Sequence, residues 1–197
     1  MPTVVGGRGP PTACRRLTLL DQILTEPRKA LAPRRNEVGM RPDETLSFER
    51  PELQDLLEIW RSKRQGLPFP RRADLSPFDL KAHLGHLFLL DVERDPLRFR
   101  YRLIGTAITS VVDRDATGCY FEDIYSGRLL ETVVEVMSWV VRERAPLRIF
   151  SRTGHGRNRV YLYDGLLLPL AKDGETVDMI LGELRFTMES ARAATED

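Results

Sequence analysis

Between Leu97 and Gly105 the chain reads LRFRYRLIG, with Leu97, Phe99, Tyr101 and Leu103 alternating against Arg98, Arg100 and Arg102. A period of two puts the apolar and cationic side chains on opposite faces of a strand. Burying each apolar side chain stabilises by roughly 1.5–3 kcal/mol, whereas three guanidinium groups need water or a carboxylate. That combination suits the edge of a sheet. Gly105 ends the alternation, and from Thr106 the period lengthens through Ile108, Val111 and Val112, as in one or two helical turns that stop at Asp113-Arg114-Asp115, before Thr117-Gly118.

The flanking segments supply what such an edge strand packs against. Glu52 to Gln65 is a helix, opened by Pro51 and stopped by Gly66, whose Leu53, Leu56, Leu57 and Trp60 fall at i, i+3, i+4 and i+7. Leu67-Pro68-Phe69-Pro70 forces an extended connection, and Ser76-Pro77 opens a short helix through about His83. Leu87 to Val92 is a nearly continuous apolar run, expected of a strand buried on both faces and joined to the Leu97 strand by Glu93-Arg94-Asp95-Pro96. Ser126 to Arg144 is the longest helix, with Leu129, Val133, Met137 and Val140 on one face, while Trp139 projects off it as a contact point. Leu147 to Arg152 has a second cationic face and reads as the other edge, turning at Gly154-His155-Gly156. Arg159 to Leu170 and Val177 to Phe186 are apolar in both phases and belong inside the sheet.

The 197 residues suit one domain, and a net charge of +1 nominates no partner. Residues 1–40 carry seven basic and three acidic side chains and several Gly-Pro breaks, leaving 23 basic and 26 acidic residues, net −3, in the remainder. Residues 1–45 are therefore expected to be a disordered basic arm, 46–188 the domain, and 189–197 a polar tail without an output domain. Cys14 and Cys119 are too far apart in sequence to imply a disulfide framework or metal cluster. No apolar run reaches membrane-spanning length, so a cytoplasmic protein is expected.

No arrangement of residues points to catalysis. His83 and His86 are three apart, with Asp79 and Asp91 flanking rather than completing a ligand set, and read as ordinary polar positions at a helix-to-strand junction. No serine sits in a G-x-S-x-G elbow, and Cys119 has no neighbour to activate it. GHG at 154–156 and GGRG at 6–9 lack the strand and helix of a phosphate loop. The basic cluster Arg61, Lys63, Arg64, Arg71 and Arg72 lacks interleaved aromatics for stacking on nucleic acid, and reads as a solvated helix end.

The pieces LLEIWRSKRQGLPFPRRADLSP, HLFLLDV, FRYRLIGTAI, RDATG and GELRF, in this order from about Ser47 to Met188, resemble the PAS superfamily, and specifically a single-domain bacterial PAS-like family. The resemblance implies an α+β fold with a five-stranded antiparallel sheet in the order 2-1-5-4-3, which agrees with the two arginine-faced edges derived above. It also implies a non-catalytic sensory or signalling module with a small-molecule pocket between sheet and long helix. Its walls would be Phe99, Tyr101, Leu103, Val133, Met137 and Val140, with Cys119 near the mouth and Tyr101 as polar handle; the same residues also fit plain core. No cofactor is expected: the long helix carries no histidine for haem, and Cys119 lacks the neighbours of the flavin-reactive cysteine of light-sensing relatives. A structural adaptor without ligand, docking on a signalling protein or a second copy, is the other reading. Strands apolar on both faces need cover on both sides, and one stripe looks too narrow for the second, so homodimerisation through the first helix, with Leu53, Leu56, Leu57 and Trp60, or through the outer face of the sheet is expected.

Overall fold

The computed structural model describes residues 41–155 and 159–188; the arm at 1–40, residues 156–158 at the expected Gly154-His155-Gly156 turn, and the tail from Glu189 lie outside the described residues. Six strands form one antiparallel sheet: β1 (Arg41–Asp43), β2 (Leu87–Glu93), β3 (Arg98–Ile104), β4 (Leu147–His155), β5 (Arg159–Leu170) and β6 (Met179–Met188), in the order β1-β4-β5-β6-β2-β3. The five expected strands keep their order. The sixth, β1, lies beyond β4 and comes from residues the sequence assigns to the arm, so β4 is not the sheet's edge where β1 pairs with it. Carboxylates on both sides of Arg148 explain this placement. Its guanidinium makes two 2.9 Å bonds to Asp164 of β5 and one of 3.3 Å to Asp43 of β1.

The arginines of β3 are met in the same way. Arg100 and Arg102 both reach Asp91 of β2, at 2.9 and 2.6 Å, and Arg98 pairs with Glu122. Asp91 is buried within the otherwise apolar run at 87–92, where it neutralises the cationic face.

The helices divide between the two faces. α1 (Pro51–Ser62) covers one side, and α2 (Thr106–Val112), α3 (Phe121–Ile124) and α4 (Gly127–Glu143) lie on the other. Trp139 of α4 is half-buried and packs against the core. The segment 76–83 is a series of turns instead of the expected helix, followed by a 3-10 turn at Leu84–His86. The stripe offered to a second copy is instead consumed by the chain itself: Leu53, Leu56, Leu57 and Trp60 are all buried, and Trp60 Nε1 donates to the Pro169 carbonyl of β5 at 2.9 Å. The 67–86 segment widens the cover that one helix provides through Phe69, Leu75 and Leu80, so Leu53, Leu56, Leu57 and Trp60 are not available to a second copy.

A buried ionic bridge fastens this cover. The His83 ring, 1% exposed, places Nδ1 2.9 Å from Glu183 Oε2 of β6 and Nε2 3.1 Å from Asp55 Oδ2 of α1. Arg185 also donates to Glu183. Burial alone would lower the histidine pKa, but the bonds and charges of Glu183 and then Asp55 outweigh it and hold the ring above its ordinary 6.5. The sequence reading of an ordinary polar junction residue is corrected here: its partners lie 28 and 100 positions away and leave no local signal.

The bridge gives stability a pH signature. A raised histidine pKa contributes stability that is fully present below the unfolded value near 6.5 and is lost as pH rises through the folded value. The urea midpoint of the wild type is therefore expected to fall between pH 6 and pH 8.5. His83→Gln should destabilise at pH 6 and remove that decline; an unchanged slope in the variant would assign it to other groups. Gly105 tests the contact between β3 and the 3-10 turn. A Cβ there would lie 2.3 Å from the Gly85 carbonyl oxygen, backbone against backbone, although its φ of −70° is ordinary. Gly118 has open space but a φ of +86°. Gly105→Ala is expected to lose about 2–3 kcal/mol and Gly118→Ala about 1 kcal/mol, measured by urea denaturation with unchanged m-value.

Candidate functional site

On the face covered by α2 to α4 the packing leaves a cavity of about 160 Å³. Its floor is the inward phase of the sheet, including Phe88, Tyr101, Tyr163, Leu184 and Phe186, and its roof comes from Ile108 and Val112 of α2, Phe121 and Ile124 of α3, and Leu129, Val133 and Met137 of α4. Gly182 makes the floor flat at one point. A Cβ there would lie 2.0 Å from the Phe88 ring, so the glycine seats that ring against β6. Aromatic side chains then pack in sequence: Phe121 lies 5.3 Å from Tyr101 and 5.5 Å from both Phe99 and Tyr125, ring centre to centre.

Three tyrosines supply the polar atoms. Tyr101 and Tyr125 share a hydroxyl–hydroxyl hydrogen bond of 2.9 Å, and Tyr163 bonds with Ser151 on the neighbouring strand. Burial pushes all three phenol pKa values up, so the hydroxyls stay protonated throughout the physiological range. Arg114 is the single charged residue in the wall, and it is engaged within the fold.

Of the seven residues assigned to the pocket from sequence, Tyr101, Val133 and Met137 line the cavity. Phe99 stands behind the wall against Phe121, and Val140 is fully buried core. Cys119 is also fully buried, in a small cluster with Ala116 and Ile124; Cys14 lies outside the described residues. Leu103 points the other way. The β2–β3 register shifts between Leu89 and Leu90, pairing them with Leu103 and Tyr101, and this bulge breaks the alternation so that Ile104 replaces Leu103 at the cavity.

Leu103 instead lines a groove of about 320 Å³ on the opposite face, beside Leu75, Leu84 and Leu89, and is 43% exposed. Tyr125, Tyr163, Leu184 and Phe186 were missed as cavity residues because β5 and β6 are apolar in both phases, so periodicity does not say which phase faces inward. Tyr125 sits between α3 and α4, in the sequence Ile124-Tyr125-Ser126, where no periodic signal extends.

Three of the five basic side chains at 61–72 engage the chain's own groups. Lys63 pairs with Asp79 at 2.8 Å, Arg64 donates to the Leu67 carbonyl and Arg72 to that of Leu75. Among the described residues no group of three or more His, Cys, Asp or Glu side chains is placed to hold a metal, and no helix is long and apolar enough to cross a membrane.

Comparison with known proteins follows the same lines. No curated protein matches the sequence. One solved structure similar to this chain is that of an RNA-binding Light-Oxygen-Voltage receptor, at 9% identity and a TM-score of 0.43, covering 76% of this chain; the chain spans 39% of that receptor's length. The sequence model of the PAS domain matches residues 48–185, from just before α1 to within β6. With sheet order, helix placement and sequence model in agreement, the chain belongs to the PAS domain family.

Proposed function

We propose that this PAS domain is a non-catalytic sensory module that binds one small, largely apolar molecule between the sheet and α4. The observation that carries this reading is the cavity itself: about 160 Å³ of space walled by aromatic and aliphatic side chains between the sheet and α2 to α4. Packed interiors hold few voids larger than a water molecule, so open space of this size in an apolar wall favours a guest. Occupancy would brace α2, α3 and α4 against β3, and a partner would read that change in order.

Native mass spectrometry of the protein purified under mild conditions tests this. The expected result is a population heavier than the chain by the mass of a small molecule, together with a melting temperature that falls when the molecule is stripped. A guest at a hundred times its Kd stabilises by about 2.7 kcal/mol. A bare chain mass, with no small apolar additive raising the melting temperature, would instead favour the ligand-free adaptor.

A further inference from the structure

We propose that the inner cavity selects an uncharged single-ring aromatic molecule carrying one hydrogen-bond-accepting oxygen, held by the hydroxyl pair of Tyr101 and Tyr125. This rests on reading the cavity as a ligand site. Size sets the first limit. An apolar cavity of roughly 150 Å³ takes a molecule of benzene's size, so about 160 Å³ accommodates one ring with a small substituent. The rings of Phe88, Phe121 and Phe186 in the wall favour an aromatic guest through edge and face contacts.

Charge sets the second limit. No carboxylate lines the cavity, so a cationic guest would lose its hydration without a counter-charge, and the one cation in the wall, Arg114, is engaged within the fold. The tyrosines set the third. Between Tyr101 and Tyr125 there are two hydroxyl protons and one hydrogen bond, so one proton is committed and the other has no acceptor among the described residues. Either hydroxyl can donate in that bond, so the unspent proton belongs to the pair, in the cavity wall. Tyr163 bonds with Ser151 on the neighbouring strand.

Three probes of nearly equal shape separate these limits: acetophenone carries the carbonyl, α-methylstyrene replaces its oxygen with a methylene, and benzoate replaces the methyl ketone with a charge. Calorimetric titration of the full chain is expected to show acetophenone and α-methylstyrene binding, with benzoate weaker than acetophenone. The double variant Tyr101→Phe with Tyr125→Phe should weaken acetophenone about three- to tenfold, the worth of one neutral hydrogen bond, and leave α-methylstyrene unchanged. Infrared spectra of bound acetophenone provide a readout in the unmutated protein, whose carbonyl stretch should lie below its value in alkane solvent. Equal effects of the double variant on both probes, tighter binding of benzoate, or an unshifted carbonyl stretch would overturn the selectivity while leaving the cavity a ligand site. Failure of both uncharged probes to bind would overturn the ligand site itself.

Discussion

A sheet whose central strands are apolar on both faces is the constraint that everything else in this chain answers. β2, β5 and β6 present Leu, Ile and Val in both phases, and each such side chain left in water would forfeit roughly 1.5–3 kcal/mol. Cover is therefore required on two sides. α1, with Phe69, Leu75 and Leu80 from the following segment, supplies one side; α2 to α4 supply the other. One chain completes both layers.

The two covers are built differently, and that difference underlies the functional reading. On the α1 side, directional polar contacts fix the helix against the sheet: the Trp60 indole on the Pro169 carbonyl, and His83 between Glu183 and Asp55. Directional bonds set a single arrangement and leave little room for adjustment. On the other side the contacts are ring against ring and aliphatic against ring, with one hydroxyl pair among them. The short helices α2 and α3 are seven and four residues long, so their stability rests on what they pack against. An occupant of the cavity would be part of that packing.

How much of this the sequence revealed depends on the range of the interaction. Alternation in LRFRYRL marked an edge strand with a cationic face, and the stripe of α1 was correctly read as apolar, because both signals lie within a few residues. The order of the five principal strands followed from the two arginine-faced edges. What escaped was set at long range or by a local break in period. Asp91 inside the apolar run, Glu183 beneath His83, and Asp43 and Asp164 around Arg148 are counter-charges brought together only by folding. The bulge opposite Leu89 and Leu90 turned Leu103 away from the cavity that strict alternation would have given it. The single stripe of α1 was judged too narrow because the 67–86 segment, which lacks regular periodicity, did not read as part of the cover.

The open space beneath α4 separates a sensing domain from a filled scaffold, and xenon reports such space without assuming the chemistry of a guest. Crystals of the protein pressurised with xenon should show one strong site between Tyr101, Val133 and Met137, with these side chains close to their positions here. A map without xenon there, in which Met137 and Val133 meet Tyr101 directly, would contradict the cavity and leave a solid core in its place.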